Sequence, residues 1–106
     1  MSVRNLRQLF APKSVALVGA TERPGSVGAT VLRNLQDGGY QGRIFPVNPK
    51  YASIAGLPAW ADVARLPSAP DLAIVCTPPA TIPAIVKALG ELGTRAAIVM
   101  SAGLDT

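Results

Sequence analysis

Four short runs rich in Val, Ile and Ala, at residues 14–20, 43–48, 72–77 and 96–101, constrain the fold more than any other feature of the chain. The stretches VALVGA, LAIVCT and AAIVMS show almost no polar alternation, which is the pattern of strands covered on both faces. Such strands run parallel, and parallel neighbours require crossovers. The intervals supply helical spacing for them. Val27, Val31, Leu32 and Leu35 fall on one helical face, with Ser26 as N-cap and Gly38-Gly39 ending the pattern. Ile82, Ile85, Val86 and Leu89 repeat that spacing, with Thr81 as N-cap, Pro83 in the first turn and Gly93 at the close.

The second crossover is weaker. Trp60, Val63, Ala64 and Leu66 predict one or two helical turns between Pro58 and Pro67, with Trp60 covering the core edge. Residues 5–10 read as a small helix that docks Leu6, Leu9 and Phe10 before Pro12 turns the chain into the first strand. The order β-α-β-α-β-α-β predicts an α/β fold: a Rossmann-like, right-handed doubly wound parallel sheet in three α/β/α layers. With 106 residues the chain makes one domain, 1–106. A sheet of this kind usually continues past the fourth strand, so the expectation is an N-terminal fragment of a longer multidomain protein.

Composition removes whole classes of chemistry. The chain has no His, and with it go the commonest general base and the commonest zinc ligand. One Cys excludes internal disulfides, and Cys76, with no cation beside it in sequence, reads as a small buried hydrophobe. No catalytic residue and no metal ligand is predicted; Glu22 has no partner acid or base and is expected to face solvent or pair with Arg23. The first half carries Arg4, Arg7, Lys13, Arg23, Arg33, Arg43 and Lys50 against only Glu22 and Asp37. That balance suits a phosphorylated small molecule, whereas the lack of any Lys/Arg run argues against nucleic acid. No apolar stretch is long enough for a membrane span and no signal peptide is visible, so a soluble cytoplasmic protein is expected, with no membrane partner.

In an open parallel sheet, ligands bind at the carboxyl ends of the strands. The first such corner contains Gly19, Thr21, Arg23, Gly25, Ser26, Val27 and Gly28 and leads into a helix N-terminus, an arrangement that offers backbone N–H groups to a phosphate. Gly19 permits the tight exit, Gly25 a close approach of backbone to phosphate, and Gly28 close helix packing. Thr21 and Ser26 add hydroxyl donors and Arg23 a guanidinium. The spacing Gly-x5-Gly-x2-Gly matches neither the dinucleotide fingerprint nor a P-loop. At the second corner, where an NAD-binding fold places a carboxylate for the ribose, stand Asn48, Pro49 and Lys50. A missing carboxylate and an added cation predict a ligand with phosphate near its adenosine ribose: the 2′-phosphate of NADP or the 3′-phosphate of coenzyme A.

Taken in order, LRQLFAPKSVALVGAT, ERPGSVG, VNPKY, IAGLPAW, DLAIVCTPP and AAIVMSAG resemble the CoA-binding domain of the NDP-forming acyl-CoA synthetases across essentially the whole chain. That family includes the ADP-forming acetate:CoA ligases, the alpha subunit of succinyl-CoA synthetase, and the synthetase-like part of bacterial protein lysine acetyltransferases. The resemblance implies coenzyme A or an acyl-CoA as cofactor, with the residues of the first corner around its phosphates. It implies Asn48, Pro49 and Lys50 at the adenosine and 3′-phosphate, Thr77, Pro78 and Pro79 along the pantetheine, and Ser101, Ala102 and Gly103 toward the thiol. Further synthetase domains are the implied partners, in the same chain or a partner subunit, and an apolar edge at the last strand would allow a homo-oligomer. Three other readings stay open: a ligand-sensing regulatory domain of an acetyltransferase, a stand-alone CoA-binding module, and an NADP-binding module.

Overall fold

The computed structural model describes residues 12–100. The predicted opening helix at 5–10 and the site residues Ser101, Ala102 and Gly103 lie outside them. Strand β1 (Ser14–Val18) leads to helix α1 (Val27–Asp37), then β2 (Arg43–Val47), β3 (Ser53–Ile54), β4 (Leu57–Pro58) and a single 3-10 turn, Val63–Arg65. Strand β5 (Leu72–Val75) follows, then a 3-10 turn (Pro79–Thr81) running into helix α2 (Ile82–Leu92), and finally β6 (Ala96–Val99). The four longer strands form one parallel sheet in the order β2-β1-β5-β6, and the chain's reversal of direction across β1 makes it doubly wound.

Successive residues of β1 point to opposite faces, and each face builds its own core. Val15 and Leu17 pack with Leu72 and Ile74 of β5 beneath Leu32 of α1 and Ile54 of the β3–β4 hairpin. Ala16 and Val18 pack with Phe45, Val47, Ala73 and Val75 beneath Val63, Leu66 and Leu89 of α2. The apolar runs of β1 and β5 are strands whose central positions find such cover on both sides.

The helix ends follow from local chemistry. Ser26 caps α1 as expected: its backbone is extended and its Oγ accepts the N–H of Ala29 at 3.2 Å. Gly93 ends α2 in the left-handed region at φ +102°, donating its N–H to Leu89 and Gly90. Thr81, the expected cap of α2, does not cap it. It already has helical backbone angles as the last residue of the 3-10 turn, and its hydroxyl bonds backward to the Pro78 carbonyl and to Thr77 Oγ1, each at 2.6 Å.

Two further differences have physical causes. The second crossover is mostly a β-hairpin, with only one helical turn. Its two-residue turn, Ala55-Gly56, has φ of +52° and +81°, the primed geometry that suits a twisted hairpin. Trp60 continues from the hairpin along the outer edge of β2, exchanging backbone hydrogen bonds with Pro46 and Asn48 and meeting Phe45 edge to face at 5.4 Å. Trp60 thus covers the core edge, as its sequence context predicts. The second difference is β6, whose Ile98 and Val99 remain 38% and 45% exposed although the sequence predicts cover on both faces. The strand stands at the edge of the sheet, beyond β5, and among the described residues it is not packed over as β1 and β5 are. No described helix is long and apolar enough to cross a membrane.

Ala55 is the only described non-glycine residue with positive φ, a conformation that costs an ordinary L-residue about 1 kcal/mol and Asn less. Ala55→Asn is therefore expected to raise the melting temperature by about 2–6 °C, near 4–8 °C per kcal/mol in a domain of this size. An unchanged or lower melting temperature would count against the turn geometry.

Candidate functional site

The site begins where β1 ends. Gly19 turns out of the strand at φ +92°, and a Cβ there would lie 2.6 Å from the carbonyl oxygen of Cys76. A Cβ on Gly28 would in turn collide with the carbonyl oxygen of Gly19, so the first turn of α1 rests directly on the strand exit. Gly19 N–H donates to Val47 and Cys76 N–H to Val18, tying the ends of β1, β2 and β5 together. Both glycines do what the sequence predicts. Gly25 also has positive φ, +83°, but a Cβ there would meet nothing within 4 Å, so the turn requires it and packing does not.

The hydroxyls of the loop serve the loop first. Thr21 Oγ1 accepts the N–H of Arg23 at 3.1 Å. Ser26 Oγ accepts from Ala29 and donates its single proton to the Arg23 carbonyl at 2.8 Å. Ser26, expected to donate to a phosphate, is therefore committed within the loop, whereas Thr21 keeps its proton. Val27 and Gly28 head α1, where no carbonyl lies a turn behind to accept their N–H groups. Those two amides, the Thr21 hydroxyl and the exposed Arg23 guanidinium are what the corner offers an anion.

At the second corner Asn48 bonds with both ends of its amide. Nδ2 donates to the Ala20 carbonyl and Oδ1 accepts the N–H of Lys50, each at 2.9 Å. Beside it opens a cavity of about 360 Å³ at the carboxyl ends of the sheet. Val18, Val47, Val63 and Ile85 contribute apolar wall, and exposed Lys50 and Asp62 bring charge. Gly19, Asn48, Pro49, Lys50, Thr77 and Pro78, all singled out in the sequence, meet on this one cavity. Pro79 does not line it; it starts the 3-10 turn before α2. Thr21 and Arg23 line two smaller hollows on the α1 side, of about 190 and 160 Å³, beside Arg33 and Tyr51 respectively.

The apolar walls and Asp62 were missed in the sequence because Val18, Val47, Val63 and Ile85 carry the same periodic signal as core residues. Only the topology separates them. Asp62 pairs with Arg65 at 3.3 Å on the surface, an exposed contact of little energetic weight. Trp60 lines a different hollow at the outer edge of β2, away from Lys50.

Residues 13–106 match the family described as CoA binding domain. The chain belongs to that family. It is 39% identical over 98 residues to "Acetate--CoA ligase [ADP-forming] I" of Archaeoglobus fulgidus, covering 92% of this chain and 14% of that protein. It is likewise 39% identical over 104 residues to "Trans-feruloyl-CoA synthase FCS1" of an unknown prokaryotic organism, covering 98% of this chain and 15% of that one. Among solved structures, the dinucleotide-forming acetyl-coenzyme A synthetase 1 of Ca. Korarchaeum cryptofilum superposes with a TM-score of 0.88 at 31% identity, over 95% of this chain and 22% of that chain. The chain thus spans about a seventh to a fifth of the length of these relatives. Coenzyme A is the cofactor of this CoA-binding domain.

Cys76 sits half-buried just past β5, and burial pushes its thiol pKa up. A raised value leaves less thiolate at any pH below it. The rate of alkylation of Cys76 by iodoacetamide against pH is expected to have its midpoint above the value of about 8.5 for a free cysteine. A midpoint at or below that value would show an activated thiol instead.

Proposed function

We propose that the cavity at the carboxyl ends of β1, β2 and β5 holds the adenosine end of coenzyme A, with Lys50 at its 3′-phosphate. The residues present suit that molecule. The cavity is walled by valines and Ile85, which favours a flat, weakly polar base, and it carries a lysine where an NAD-binding fold has a carboxylate. The diphosphate would lie at the head of α1, on the N–H groups of Val27 and Gly28 beside Thr21, Gly25 and Arg23. The pantetheine would run past Thr77 and Pro78. The observation that carries this reading is the meeting of Asn48, Pro49, Lys50, Thr77 and Pro78 on one apolar cavity.

The bound cofactor supplies a thiol that takes up an acyl group. This chain's own residues bind and orient it, and none of them acts on the acyl group. The reading makes residues 1–106 one domain of a larger acyl-CoA synthetase of the ADP-forming kind, whose other domains activate the acid. The relatives named for acetate and for trans-ferulate match this chain equally well. Acyl specificity is accordingly assigned to parts of the parent outside this domain.

Charge-assisted hydrogen bonds to phosphate are worth about 1.5–3 kcal/mol. Calorimetric titration is therefore expected to show Lys50→Ala binding coenzyme A about tenfold or more weakly, with 3′-dephospho-CoA changed by less than about twofold. Equal losses for the two ligands would remove Lys50 from the 3′-phosphate.

A further inference from the structure

The side chain of Asn48 bridges two corners that the proposed reading gives to different phosphates of one ligand. Nδ2 donates to the carbonyl of Ala20, at the exit of β1 toward the phosphate loop, and Oδ1 accepts the N–H of Lys50. The Asn48 N–H donates to Trp60, which fixes its backbone from a third side. Ala20 is fully buried, and a buried carbonyl without a donor is costly. An ionised Asp would set a second oxygen against that carbonyl, because it accepts hydrogen bonds and cannot donate. The site thus requires a carboxamide on structural grounds, independent of any repulsion from a ligand phosphate.

We infer that Asn48 is a positioning residue that sets the distance and direction of Lys50 relative to the head of α1. It acts through Lys50 and Ala20 and need not touch the ligand. This inference rests on the proposed coenzyme A site. The two bonds have separable effects: the Oδ1 bond orients Lys50 and governs preference for the 3′-phosphate, and the Nδ2 bond holds the loop exit and governs affinity for any ligand with the diphosphate.

The test is calorimetric titration of the full 106-residue chain and its variants with coenzyme A and 3′-dephospho-CoA, read as the ratio of the two dissociation constants. Lys50→Ala brings the ratio close to 1. Asn48→Ala, with Lys50 intact, is expected to reduce the ratio at least about threefold and to weaken both ligands. Asn48→Ser, whose hydroxyl still accepts the Lys50 N–H but is too short to bridge to Ala20, is expected to restore the ratio to within about twofold of the parent while both affinities stay low. If Lys50→Ala collapses the ratio and Asn48→Ala leaves it at the parental value, Asn48 is structural only and the inference fails alone. If Lys50→Ala leaves the ratio unchanged, the site reading fails and takes the inference with it. Amide hydrogen exchange in the parent chain needs no variant: the Lys50 N–H is expected to exchange at least about tenfold more slowly than an unprotected amide, and exchange at the unprotected rate would overturn the bridge.

Discussion

The carboxyl end of the sheet depends on how closely three backbone segments approach one another at the end of β1. Gly19 lies against the Cys76 carbonyl on one side and has the first turn of α1 seated on its own carbonyl on the other. A side chain at Gly19 or Gly28 would force these segments apart. Because neither carries one, the first turn of α1 packs on the exit of β1, which also lines the cavity shared with the exits of β2 and β5. The hydrogen bonds from Gly19 to Val47 and from Cys76 to Val18 continue the sheet ladder into that crevice, so the corners extend a rigid core.

That closeness sets how the loops use their polar groups. Ser26, Asn48 and Thr81 all direct side-chain atoms at nearby backbone. The groups left to meet a ligand are backbone N–H groups at the head of α1 and long cations at the rim. In the proposed reading such amides would bind a diphosphate without having to give up other partners, and the backbone of Lys50 is already held by Asn48. Short polar side chains build the corners, and the proposed reading leaves binding to amides and cations.

Much of this was legible in the sequence, where the signal is local. The strands were readable from continuous apolar runs, the cap at Ser26 and the stop at Gly93 from residue type and position, and the roles of Gly19 and Gly28 from their place between a strand and a helix. Thr81 was misread because a Thr before a helical pattern looks the same whether or not a 3-10 turn has already begun. The β3–β4 hairpin was missed because Ala55-Gly56 lacks the Asn or Asp that usually marks such a turn. The exposure of β6 was not readable, since a strand's composition states that it favours cover and not what supplies it. The hydrogen bond from Asn48 Nδ2 depends on Ala20, 28 residues earlier, and no spacing rule connects them.

In the proposed reading coenzyme A enters the cavity at the exits of β1, β2 and β5, with its diphosphate on the adjoining head of α1. The most direct measurement is a titration of the isotope-labelled chain with coenzyme A followed by amide chemical shifts. The largest shifts are expected on Val27, Gly28, Lys50 and Thr77, with Leu32, Arg33 and Ala55, around the hollow on the α1 side, little changed. Shifts concentrated on Leu32, Arg33 and Ala55, with Lys50 and Thr77 unmoved, would place the cofactor on the other side of the phosphate loop and contradict it.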